Sequence, residues 1–212
     1  MTTEALLRRL GRAVRAPCAG VVVIWLGACS SAPAPRFHSL MPAPPPAAAA
    51  TATSLPAGPV AWEVLAVSVP PGVDQPQWVV RSVDGSLVVL EQERWIGPLG
   101  DEIRAAVTQQ LVQTLGAAAA GPARWQVRID VLRFESAPGR EARIDVTWSV
   151  ASSAGSPSAA LRCRGEYVQA VGADGYLALA AGHQKSVARL ADAIAIALRS
   201  LAAGQAAACA AA

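Results

Sequence analysis

Basic side chains other than arginine are almost missing from this 212-residue chain, which has two histidines, His38 and His183, and one lysine, Lys185. That scarcity removes most metal and acid–base chemistry. His183 has Ser186 at i+3 and Val187 at i+4, where a helical metal pair would need a second ligand. Asp101 with Glu102, and Asp174, fall where helix ends collect negative charge rather than as paired catalytic carboxylates. Ser152, Ser153 and Ser156 share a hairpin loop with no base to activate a hydroxyl. Gly172 and Gly175 lack the strand-to-helix spacing of phosphate or dinucleotide loops and read as turn residues. The apolar run Ala16–Ala28 is well short of the about 20 residues that cross a bilayer. The expectation is a protein without catalytic residues, metal or dissociable cofactor.

Net charge is equally uninformative as a whole and informative in its placement. The formal +3 is accounted for by Arg8, Arg9, Arg12 and Arg15 against Glu4, so the chain after residue 28 is near neutral. No basic footprint for nucleic acid survives. The surplus of alanine, arginine, glycine and proline is the usage of a GC-rich genome and carries little function.

Those arginines precede the apolar run Ala16–Ala28, which closes on Leu26-Gly27-Ala28-Cys29. A cationic start, a short apolar core and small residues before a cysteine are the pattern of a bacterial lipoprotein signal peptide, here residues 1–28. Cys29 then heads the mature chain, its thiol carrying a diacylglycerol and its freed amine a further acyl chain. Two or three chains anchor stably where one does not. Ser30 follows, where an aspartate would argue for retention in the inner membrane; the expected address is the outer membrane, periplasmic face.

Residues 29–59, rich in Ala and Pro, bury too little apolar surface to order themselves and read as a tether reaching roughly 30 Å. Within it, Arg36-Phe37-His38-Ser39-Leu40 alternates like a strand able to pair with the domain's sheet. Domain signals run over residues 60–203: a strand over Trp62–Val69 stopped by Pro70-Pro71-Gly72, and a hairpin of Gln77–Arg81 with Leu87–Leu90 about Asp84-Gly85. A helix follows with Gly97 as its cap, Pro98 as its first residue, a stripe from Leu99 to Leu115, and Gly116 at its end. Period-two strands begin at Trp125, Ile144 and Leu161, and a helix from Tyr176 to Leu201 closes the domain. Gly204 breaks it, leaving residues 204–212 as a frayed tail. This order predicts an α+β fold: a mostly antiparallel sheet of about six strands with two helices on one face.

Cys163 reads as a small hydrophobe in a strand and Cys209 as part of the tail, a reading set above a bridge between them. His183, mid-stripe on the last helix, reads as a packed core residue. Arg94-Trp95 is the candidate partner interface, since both types concentrate at binding hot spots; the rival reading is that Trp95 plugs the core end and Arg94 is solvated.

The segments Phe37-His38-Ser39-Leu40, Val69-Pro70, Asp74-Gln75-Pro76-Gln77, Val79-Val80-Arg81, Glu93-Arg94-Trp95, Pro98-Leu99, Asp130-Val131-Leu132-Arg133-Phe134, Trp148 and Ala181-Gly182-His183, behind the lipobox, carry a resemblance. In that order they resemble the PqiC-type auxiliary lipoproteins of ABC-type and MCE-type intermembrane transport systems. The chain departs from that pattern at His38, where the family often has an aromatic, and at Gln75, where it often has arginine. The resemblance implies a non-catalytic subunit, lipid-anchored in the outer membrane, docking a periplasm-spanning MCE-domain (PqiB-like) protein with lipid as cargo. A rival from another class is a stand-alone lipid- or ligand-binding lipoprotein, with an acyl chain between helices and sheet. Homo-oligomer formation is left open.

Overall fold

The computed structural model describes residues 33–42, 60–121, 124–154, 161–172 and 175–209. Cys29 with its lipobox, tether residues 43–59, Ser156 and Asp174 lie outside these. Nine elements follow in chain order: β1 Arg36–His38, β2 Trp62–Val64, β3 Gln77–Arg81, β4 Leu87–Trp95, α1 Leu99–Leu115, β5 Trp125–Ala137, β6 Glu141–Ser152, β7 Leu161–Ala170 and α2 Gly175–Ala202. The class is α+β with two helices, as the sequence pattern requires. The single six-stranded sheet is corrected to seven strands in two mixed sheets, ordered β1-β4-β3 and β2-β5-β6-β7.

Both sheets are mixed because β1 joins β4, and β2 joins β5, in parallel. These two strands are three residues each, too short for alternation to announce them or their direction. The expected strand over Trp62–Val69 shortens to β2 plus one bridge, Ser68 to Asp130. Long alternating runs do better: β5, β6 and β7 pair antiparallel as a meander. Val127, Ile129, Val146, Trp148, Val150 and Cys163 are buried on one face of it. Arg128, Arg162, Arg164 and Glu166 are exposed on the other. On that polar face Asp145 is buried beneath Arg143, at 2.8 Å, and holds the guanidinium pKa above its ordinary value.

Helix α2 packs along β5, β6 and β7, and α1 packs on α2 and β2. Leu179, Leu190, Ile194 and Leu198 of α2 meet Leu99, Ile103, Val107 and Leu111 of α1 in one core. Close approach of α2 to the sheet depends on Gly182, where an added Cβ would sit 2.9 Å from Ala142 Cβ and from Val171 Cγ2. The start of α1 is one residue later than expected: Pro98, with ψ 133°, is the cap and Leu99 the first helical residue. Gly116 does end α1, at φ 84°, its N–H donating to Val112 O.

Cys163 and Cys209 form a disulfide, Cα–Cα 5.5 Å, which corrects their reading as an independent core residue and a frayed end. Gly204, at φ 68°, reverses the chain after α2, and Gln205 N–H donates to Ser200 O, bringing Cys209 back to β7. Nothing local to either cysteine encodes that reversal; it follows from where α2 stops. Among the described residues no helix is long and apolar enough to cross a membrane.

Candidate functional site

The island at Arg36–Leu40 is where the early chain enters the domain. In β1 its backbone aligns with Glu93, Arg94 and Trp95, and Ile96 N–H donates to His38 O. Glu93 is buried and held from two sides: Arg36 ion-pairs with one carboxylate oxygen, and His38 Nε2 donates to the other at 2.6 Å. Losing a hydrogen bond to a buried charged group typically costs about 1.5–3 kcal/mol, because the charge is left less compensated.

Beyond β1 the chain is gripped by both helices. Glu102, in the first turn of α1, accepts from Ser39 Oγ at 2.6 Å and from Leu40 N–H at 2.9 Å. Gln184 Nε2 of α2 donates to Ser39 O at 2.9 Å and Met41 O at 3.2 Å. Glu102 therefore does more than complement a helix dipole, and the sequence reading missed this. Only Ser30–Pro35 separate Cys29 from the first strand, and β1 pairs with β4 as the alternation of Arg36–Leu40 anticipated.

Behind β1 lies an aromatic cluster spanning both sheets. Trp78 meets Trp95 at 4.4 Å between centroids and His38 edge-on at 4.9 Å, while Phe134 stacks on His183 at 4.0 Å. Trp78 Nε1–H donates to Ser136 Oγ at 2.8 Å, leaving the Ser136 hydroxyl its own hydrogen for His183 Nε2 at 2.7 Å. Full burial pushes the His183 pKa down to about 3, so the ring is neutral. A serine beside a histidine invites a hydrolytic reading, but both are sealed from solvent, and His183 Nδ1 has no orienting partner among the described residues. His183 is a core residue, as its place in the helical stripe suggested.

Trp95 is buried in this cluster. Arg94 is half-buried and its Nε donates to Glu91 O, so a partner arriving here meets the guanidinium rather than the indole. The cysteine proposed for lipidation, Cys29, is outside the described residues. Two surface cavities flank the β1 segment. One of about 440 Å³ runs between the helices, with Leu40, Gln109, Gln113 and Lys185 among its walls. Another of about 550 Å³ is bordered by Arg36, Phe37, His38, Tyr176 and Leu177. Among the described residues no three His, Cys, Asp or Glu side chains gather to hold a metal ion.

Comparison with known proteins is consistent with this architecture. Residues 39–195 match the family model described as ABC-type transport auxiliary lipoprotein component. The crystal structure of an uncharacterized protein superposes with TM-score 0.61 at 16% identity, covering 76% of this chain and 97% of the other. One from Xanthomonas campestris superposes with TM-score 0.56 at 20% identity, covering 68% and 86%. No curated protein sequence is detectably similar.

Proposed function

Because the chain belongs to the ABC-type transport auxiliary lipoprotein family, we propose that it is the outer-membrane-anchored subunit of an MCE/ABC-type lipid transport system. In this reading Cys29 carries the acyl chains, and the domain docks the system's periplasmic MCE-domain (PqiB-like) protein to the outer membrane. The family match over 39–195 is the observation that carries it. The packing agrees. Leu99, Ile103, Ile129, Ile144, Leu190 and Ile194 are fully buried in the layer where the rival reading would lodge an acyl chain. That layer is already filled, which favours docking over carrying.

Two measurements test the reading. The mature protein from labelled cells incorporates palmitate and fractionates with the outer membrane, and Cys29→Ala does neither. The acylated protein co-purifies with the MCE subunit of its own transport system. Failure of the first removes the anchor; failure of the second, with the anchor intact, removes the docking role.

A further inference from the structure

The lead between anchor and domain is short enough to constrain how the domain sits. Seven Cα–Cα steps separate Cys29 from Arg36, and a fully extended chain spans at most ~3.6 Å per residue. Arg36 is therefore within ~25 Å of an acylated Cys29 whatever path the lead takes. Since β1 is hydrogen-bonded into the sheet, the body cannot pivot away from that limit by unthreading it.

What the body presents at this end is amphipathic. Phe37 is 56% exposed and Leu177, on the first turn of α2, is 76% exposed. They border one cavity with Tyr176 and with Arg36, whose side chain is 72% exposed. Arg36 meets Glu93 through Nη2 alone among the described residues, so most of its five N–H donors face outward. Aromatic and aliphatic groups beside an arginine fit the boundary between phosphates and acyl chains.

We propose that this end of the domain is seated on the phospholipid surface, with Phe37 and Leu177 entering the headgroup–acyl boundary and Arg36 meeting lipid phosphate. The proposal rests on acylation at Cys29. It also orients the molecule. Helix α2 begins at this end and its 28 residues run ~42 Å away from it. Ile196, half-exposed on the same helix, lies ~28 Å from Leu177 along the helix axis, beyond the patch proposed to enter the lipid.

The test uses the full-length acylated protein in vesicles of phosphatidylethanolamine and phosphatidylglycerol. Phe37→Cys, Leu177→Cys and Ile196→Cys are each labelled with a polarity-sensitive NBD fluorophore; Cys163 and Cys209 are paired and Cys29 is blocked. Seating predicts blue-shifted emission at 37 and 177, quenched by spin-labelled lipid, and an aqueous signal at 196. Protein that floats with vesicles while 37 and 177 stay aqueous overturns the seating and leaves the anchor standing. Protein that does not float overturns both. A shift at all three sites, or a shift at 37 and 177 only after the MCE subunit is added, also overturns it, the latter assigning this end to a protein. A Phe37→Glu, Leu177→Glu variant gives a second readout: its lipid-quenched fraction at a remaining labelled site, Tyr176→Cys, falls at least about threefold if seating is real and is unchanged if it is not.

Discussion

Substitution Cys209→Ala opens the disulfide while leaving the Cys163 thiol in a place suited to a small hydrophobe. The bridge closes a loop of sequence separation 46. In the chain-entropy description, constraining a loop of that length in the unfolded state is worth about 4 kcal/mol at 25 °C. For a domain of this size each kcal/mol moves the midpoint by about 2–4 °C, so the thermal transition should fall by on the order of 10 °C. The assay is paired: denaturant and thermal unfolding of the oxidised protein, the Cys209→Ala variant, and the parent under reductant. The last two should coincide. Thiol titration of the mature acylated protein should find no reactive thiol before reduction and two after reduction in denaturant. A stability difference under about 1 kcal/mol, or two thiols titrating in the untreated protein, would refute the reasoning.

Three further perturbations probe the packing. Gly182→Ala places a methyl 2.9 Å from two sheet-side carbons and should destabilise by about 1–3 kcal/mol, outweighing the about 0.5–1 kcal/mol gained in helix propensity; a higher melting temperature would show that α2 does not sit this close. Glu102→Gln loses a charged acceptor for Ser39 and Leu40 and should cost about 1–2 kcal/mol, with faster amide exchange at Leu40 as the specific sign; unchanged exchange there would dismiss the contact. His183, held near 3 by burial against an ordinary 6.5, leaves the native state one proton short of the unfolded state between those values. Stability should therefore be unaffected by this group above pH 6.5 and fall by about 1.4 kcal/mol per unit as pH drops below it. His183→Leu should flatten that slope by one proton, and an unflattened slope between pH 4 and 6 would place the sensitivity elsewhere.

Legibility in the sequence followed the length of each regular pattern. Helix α1 ends where the Leu99–Leu115 stripe and Gly116 place its end, and α2 differs from the expected Tyr176–Leu201 by one residue at each end. The β5–β6–β7 meander was visible because alternation persisted over seven or eight residues in each strand, Trp125–Val131, Arg143–Val150 and Leu161–Tyr167. Parallel pairings of β1 and β2 were not, since three residues carry no direction. The grip on the chain at Ser39–Met41 was hidden for another reason. Glu102 and Gln184 sit 62 and 145 residues from their partners, and a polar residue on a helix surface looks the same whether it meets water or a distant backbone. Arg94-Trp95 stood out as a motif, yet folding divided the pair, taking the indole inside.

The fastening of Ser39, Leu40 and Met41 by Glu102 and Gln184 changes what the proline-alanine stretch after them can be. Pro42 and Val60, the described residues on either side of 43–59, belong to the same body, so the length of that stretch does not set the distance from Cys29 to the domain. Doubling such a connection adds only about 0.6 kcal/mol to its closure entropy. Its length and composition are thus free to drift under mutation without altering the distance from lipid to domain, whereas a single insertion before Arg36 alters it at once.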